Sequence, residues 1–350
     1  MGIINSNFRF HPIGQGCFYS GKLQLRNVEF NFVYDCGTDS KMKILSNEIT
    51  SYKNNLSSDQ LDLLLISHFD ADHVNGVAEL LKGIKCKRVI IPYYNPIERL
   101  LLVALTGDIS ADYLFFLRNP INYFIEYGVE EVILVGGPDE NEKTQENINP
   151  ENIPLDNIDL EKLEEIIAKI STLDKDQVEK VFARIEECDE AIKQPKKVKV
   201  LKKPYKLSLY FWEFVFYLKK HDDEILMSKV TKDIDSLLKK EGVSITNLFE
   251  EEYIGELKKI YNLYFNNDFN NTSLVTYHGA TINPRKSYYI KENSKHLICF
   301  FDCKKKQFGT LLTGDIDLKS NRNTQKMINF YIDYINKVCF FQVPHHGAKA

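Results

Sequence analysis

Apolar positions in the first 135 residues come in short runs separated by polar or glycine-containing turns. "FRFHPIG" and "GKLQLRNVEFNFVYDCG" read as strands joined by hairpin turns. The run Leu63–Ile66 is uniformly apolar, as in a strand buried on both faces, and it leads directly into "SHFDADHVNG". Val77, Leu80 and Leu81 then recur at helical spacing. "CKRVIIPYY" predicts a strand, "NPIERLLLVALTG" a helix and "VEEVILVGG" another strand. This alternation predicts a layered α/β fold.

The pattern changes at Asp139. "DLEKLEEIIAKI" places Leu160, Leu163, Ile166, Ile167 and Ile170 on one helical face, and "DQVEKVFARIEECDEAI" repeats the habit. "KQPKKVKVLKKPYK", Lys193–Lys206, has seven lysines and no acid. It reads either as a solvated linker or as a basic patch that contacts a strand or pairs with acids. "LSLYFWEFVFYL", Leu207–Leu218, predicts a buried strand, and a second charged helical block spans about 223–265. Both helical blocks read as insertions in one α/β domain: 1–138 its first half, 139–205 a charged helical insertion, and 206–350 its second half. The last part returns to strand patterns in "NNTSLVTYHG", "HLICFFDC", "FGTLLTGDID" and "KVCFFQVPHHGAKA".

Composition narrows the function classes. The 350 residues are 43% hydrophobic, enough for a sizeable core, and the formal charge of -4 gives no global attraction to nucleic acid. A nucleic-acid role therefore needs a local basic groove. Seven cysteines without a C-x-x-C pair read as reduced thiols, and with no signal-peptide pattern and no long apolar span the expected location is cytoplasmic.

The candidate chemistry sits at strand ends. His68, Asp70, Asp72 and His73 fall within six residues. Alternation in an extended segment lets His68, Asp70 and Asp72 converge, so one loop could feed two metals, as the two-metal mechanism requires. The competing reading is a charged helix N-terminus capped by Asp72. Two further strand ends, "LLTGDID" and "VPHHGAKA", carry Asp315 and the pair His345 and His346. Loops held by a rigid sheet are where α/β proteins keep their chemistry.

Taken in order, "SHFDADHVNG", "LLTGDID" and "VPHHGAKA" resemble the metallo-β-lactamase superfamily signature, H-x-H-x-D-H followed by Gly-Asp and His-Gly turns. Asp70 replaces the second histidine of that signature. With "NNTSLV" upstream and "IGQGCFYSGKL…FVYDCGT" at the start, the chain looks most like the soluble domain of ComEC-type DNA-uptake proteins, with Cys17 where an acid is usual. The resemblance covers Ile13–Leu81 and Asn270–Ala350 and implies an αββα sandwich. Members usually continue past the His-Gly turn with a helix and a strand, so the C-terminal end reads as truncated or unusual.

The resemblance also implies roles. Asp315 would bridge two divalent ions, His68 and Asp70 would hold the first, and Asp72, His73 and His346 the second. Asp72 and His345 are the candidate catalytic residues, His345 facing the leaving group; the two late histidines could be exchanged. Asp35 would orient a ligand histidine. No histidine begins "NNTSLVTYH", where a midway ligand is usual, so either Asn270, Asn271 or Ser273 fills the gap with oxygen or water does, and His278 reads as a surface or core residue. An oxygen-rich first site suits Mn²⁺ or a mixed Mn²⁺/Zn²⁺ pair, with Mg²⁺ also admissible.

The expected activity is metal-dependent hydrolysis by a metal-bridged hydroxide, as a nuclease or phosphodiesterase acting on nucleic acid or another phosphodiester. The alternatives are a hydrolase of a small ester, lactone or cyclic nucleotide, and a degenerate metal-binding module for sensing or assembly. The helical insertions are candidate surfaces for a protein partner.

Overall fold

The computed structural model describes residues 4–106, 109–136, 169–170, 172–188, 192–209, 211–219, 223–265, 272–281, 289–291, 299–301, 309–318 and 321–344. Its first sheet has seven strands, in the order Ile4–Phe10, Gly16–Leu25, Val28–Thr38, Leu63–Leu65, Arg88–Pro92, Glu131–Val135 and Val198–Val200. The first three form antiparallel hairpins, and from Val28–Thr38 onward the pairing is parallel. The second sheet orders Val338–Phe341, Gly309–Leu312, Ser273–Ala280, Trp212–Lys219, Lys206–Ser208 and Lys169–Ile170.

The sheets face each other across an apolar layer. Tyr19, Phe32, Tyr34 and Leu65 from the first meet Phe214, Phe216, Leu274 and Leu312 from the second. Helices cover the far side of the first sheet, and Asn321–Phe330 covers the far side of the second, where Met327 and Tyr331 pack on Val215 and Val275. The architecture is therefore the four-layered αββα sandwich that the alternating pattern and the resemblance predict. The uniform run Leu63–Ile66 is fully buried because helices and the second sheet cover its two faces.

The intervening segments differ from a simple pair of helical insertions. Within 139–205, the described residues form the helix Lys175–Cys188, but Lys169–Ile170 is a strand paired with Leu207–Ser208, although periodicity places Ile170 on a helix. Val198–Val200 closes the edge of the first sheet beside Glu131–Val135. Period 3.6 cannot register a two-residue strand at the end of a helical pattern. Leu160, Leu163, Ile166 and Ile167 lie outside the described residues.

The block 223–265 forms the helices Glu224–Glu241 and Ile254–Tyr264. Their apolar faces, through Val230, Ile234, Leu257 and Tyr261, join the core cluster of the first sheet. The Arg99 guanidinium lies 5.7 Å above the Phe249 ring and donates to the carbonyls of Leu117 and Arg118, tying this block to the helix Pro96–Leu105. These helices are part of the sandwich's outer layer.

Four of the seven lysines of 193–206 make polar contacts, three of them with acids. Lys193 pairs with Glu126, Lys199 with Glu131 and Lys206 with Glu213, and Lys197 donates to the Val129 carbonyl. This is the acid-pairing patch, not the solvated linker.

His278 is a core residue. It is fully buried, and Trp212 Nε1–H donates to its Nδ1 at 3.3 Å, so the ring carries its proton on Nε2, 3.1 Å from the Tyr19 hydroxyl. Burial depresses its pKa to about 3, and burial, opposed by Glu48, depresses that of His11 to about 4. The unfolded chain takes up these protons below about pH 6.5, whereas the folded chain does not. The stabilisation is thus complete above that pH and is lost as pH falls. Each buried imidazole is expected to cost about 1.4 kcal/mol per pH unit through this window. Denaturant unfolding of a His278→Phe variant should show a shallower acid slope than the parent. Equal slopes would mean that His278 is not held neutral.

Candidate metal centre

The end of Leu63–Leu65 delivers Ser67 and His68, and the short helix Ala71–Val74 delivers Asp72 and His73. Asp70 stands at that helix's N-terminal boundary, but no side-chain cap bond is made there. The capped-helix reading of "SHFDADHVNG" fails at Asp72 too, which lies inside this helix instead of capping it. The backbone of this helix lies against the hairpin: a Cβ on Gly37 would come within 2.6 Å of His73 N. Only glycine permits that approach.

Asp35 sits where the hairpin register slips. Phe18 pairs with Cys36 and Tyr19 with Tyr34, leaving Asp35 as the extra residue of a bulge at φ 56°. Bulges re-aim side chains, and aspartate tolerates the left-handed region better than most residues. The carboxylate is fully buried. Its Oδ1 accepts from Ser67 N at 2.7 Å, and its Oδ2 accepts from Ser67 Oγ at 2.6 Å and from His73 Nδ1 at 2.8 Å. Ser67 Oγ, having donated to Asp35, accepts from His68 Nδ1 at 2.8 Å. Both imidazoles thus have their Nδ1 protons fixed and turn Nε2 to one place.

Asp315 meets them there. Its Oδ2 lies 4.0 Å from His68 Nε2 and its Oδ1 3.6 Å from His73 Nε2. Asp70 Oδ2 is 3.8 Å from His68 Nε2, and Asp72 Oδ2 is 3.8 Å from His73 Nε2. These separations are too long for hydrogen bonds. They suit ligands on a shared ion, whose bonds to nitrogen and oxygen run about 2.0–2.2 Å. His68 Nε2 is buried and has no hydrogen-bond partner among the described residues, which an ion would supply. His68, His73 and Asp315 form one candidate metal-holding group, so the residues present fit a divalent metal. Burial lowers the His73 pKa, but the Asp35 carboxylate overrides it and brings the value to about 10.

Asp315 arrives on the turn after Gly309–Leu312. Gly314 has φ 54°, and a Cβ there would lie 2.9 Å from Ser67 Cβ, so the turn sits directly on the first loop. The sheets are stitched beside it by Leu274 N donating to Ser67 O at 2.7 Å. Tyr113 Oη donates to Phe69 O at 2.8 Å and Tyr94 Oη to Thr272 O at 2.7 Å. These two tyrosines fix the loop's carbonyl and the start of Ser273–Ala280.

The structure brings together His68, Asp70, Asp72, His73, Asp315 and Asp35. It does not bring in Ser273. Alternation along Ser273–Ala280 puts that residue on the face of Val275 and Tyr277, which pack under the outer helix, while Leu274 takes the inner face. His345, His346, Asn270 and Asn271 lie outside the described residues. Ser67 and Gln342 were not legible in the sequence. A serine ending an apolar strand and a glutamine preceding "VPHH" carry no motif.

Cys17 borders the centre. With Asp35 and His73 it forms a second group of adjacent ligand-type atoms, and it lines a cavity of about 390 Å³ with Phe10, His11 and Gln342. Burial first, then the Asp35, Asp315 and Asp72 carboxylates, push the Cys17 thiol well above its usual pKa, so it stays protonated. Cys36 and Cys86 are likewise buried free thiols.

Residues 25–141 match the family model of the metallo-beta-lactamase superfamily, whose members are generally hydrolytic metalloenzymes. The match includes Asp35 and the whole of Ser67–Gly76, and the sandwich is that fold. A comparison with curated proteins found no match.

Proposed function

We propose that the protein is a divalent-metal-dependent phosphodiesterase. The observation that carries this reading is the Asp315 carboxylate, whose two oxygens face two different buried histidines, each with its own aspartate. His68, Asp70 and one oxygen of Asp315 would hold one ion; Asp72, His73 and the other oxygen would hold the second. His346 as a further ligand and His345 as proton donor to the leaving oxygen are carried over on the resemblance. Two ions bound there supply Lewis-acid activation of water and neutralise charge that builds on phosphoryl oxygens. The chain's own task is to orient the imidazoles through Asp35 and Ser67 and to exclude bulk water from His73, which is fully buried.

Asp70 favours phosphodiester over acyl chemistry in this reading, because an oxygen-rich half-site suits Mn²⁺ or Mg²⁺. The ComEC-like resemblance extends the reading to DNA. The ion pairs of Lys193, Lys199 and Lys206 point the other way: they engage three of the seven lysines of a basic stretch that could follow a phosphate backbone. They favour a short or small phosphodiester or ester substrate as the second reading.

The deciding experiment strips the protein with chelator and reloads it with Mn²⁺, Zn²⁺ or Mg²⁺. Single-stranded DNA, double-stranded DNA, RNA, bis(p-nitrophenyl) phosphate and a chromogenic ester are then offered. Cleavage of a phosphodiester with Mn²⁺, lost in Asp72→Ala and His73→Ala, is expected. Hydrolysis of the ester alone would overturn the phosphodiesterase reading. Asp70→His is expected to move the metal preference toward Zn²⁺; an unchanged preference would refute the role given to Asp70.

A further inference from the structure

Gln342 follows the edge strand Val338–Phe341 and joins three loops that surround the centre. Its backbone extends the ladder, N–H to Leu311 O at 2.9 Å, while its carbonyl accepts from Thr313 Oγ1 at 3.0 Å. Its side chain then turns back. Oε1 accepts from Thr313 N at 3.0 Å and more weakly from Gly314 N at 3.4 Å, and Nε2 donates to Cys17 Sγ at 3.7 Å. One carboxamide therefore links the Gly309–Leu312 strand end, the Val338–Phe341 strand end and the start of Gly16–Leu25.

Thr313 and Gly314 are buried, and their N–H groups must find acceptors inside the protein. Gln342 supplies the oxygen. Ser67 bounds the same turn on its other side, through the close approach to Gly314. Asp315 is the next residue. Its oxygens must reach two histidine nitrogens at once, from 3.6 and 4.0 Å away, so a turn displaced by about 1 Å would spoil one contact or both.

We propose that Gln342 is the positioning residue for Asp315, holding the turn so that one carboxylate serves both half-sites. The inference rests on Asp315 binding metal, and the experiment separates the two claims. Mn²⁺ and Zn²⁺ dissociation constants are measured by competition with a chromophoric chelator for the parent, Asp315→Ala, Gln342→Ala and Gln342→Glu, with thermal melts of each chelator-treated protein. Gln342→Ala is expected to bind metal roughly 10–100-fold more weakly, as for other outer partners of metal ligands. Gln342→Glu keeps an oxygen for both N–H groups and should recover most of that loss. If Gln342→Ala fails to fold, Gln342→Met decides, since it keeps the side chain's length without its oxygen: weakened metal binding supports the role, and parent-like affinity overturns it.

Parent-like metal constants in a folded Gln342→Ala would overturn it, as would a Gln342→Glu variant that melts like the parent yet binds metal weakly. If Asp315→Ala also binds like the parent, the metal reading itself falls.

Discussion

Asp315→Ala is expected to remove metal from both half-sites together, where substitution of a residue serving one ion would first empty one. The reason is geometric. Each oxygen of this carboxylate faces a different imidazole, so its loss strips an anionic ligand from two places. Two ions held in the proposed half-sites would repel, and the Asp315 carboxylate would be the charge between them. If the metals stabilise the transition state by several kcal/mol, hydrolysis should fall by about three orders of magnitude or more. Metal content after equilibrium dialysis should fall towards none, from the two ions per chain that the proposal expects of the parent. A variant that retains one tightly bound ion would show that the half-sites load independently and that Asp315 does not bridge.

Asp35 is the second position with a large expected effect, through stability as well as binding. Asp35→Ala would orphan three donors in a fully buried place: Ser67 N, Ser67 Oγ and His73 Nδ1. Each orphaned buried donor costs about 1–3 kcal/mol, and alanine at φ 56° adds about 1–2 kcal/mol of backbone strain. The bonds are mutually dependent, so a total of about 3–5 kcal/mol is expected in denaturant unfolding, as when one partner of a buried pair is removed. Asp35→Asn is the gentler variant. Its single oxygen can serve some of these donors but not all, and its NH₂ group opposes one of them. The chain should fold, with metal affinity reduced roughly 10–100-fold. Parent-like affinity in Asp35→Asn would mean that the His73 orientation is set by packing alone.

The sequence made some of this legible for a physical reason. Strands buried on both faces are written as unbroken apolar runs, so a cluster such as "SHFDADH" at the end of Leu63–Leu65 stands out against them. The same contrast exposes Asp315 after Gly309–Leu312. The layered fold was readable from alternating strand and helix periods. What periodicity could not supply was register and face. Periodicity puts Ile170 on a helix because its strand is only two residues long. The place of Ser273 in the chain points to the site, while its parity turns it to the other face. Asp35 stood in a recognisable string, but the bulge that aims it is a property of pairing with Phe18 and Tyr19. Gln342 acts through backbone N–H groups, which have no letter in the sequence.

The stitching of Ser67 to Leu274, and the meeting of His73 with Asp315, also set a timetable for biosynthesis. The ribosome must add 241 residues after His73 before it incorporates Asp315. At about 5–20 residues per second that is a delay of roughly 10–50 s. Throughout it the nascent histidines lack their shared carboxylate, and the second sheet that will bury them is still being made. Any metal the site holds can therefore meet the histidines and their shared carboxylate together only after the second sheet has been made.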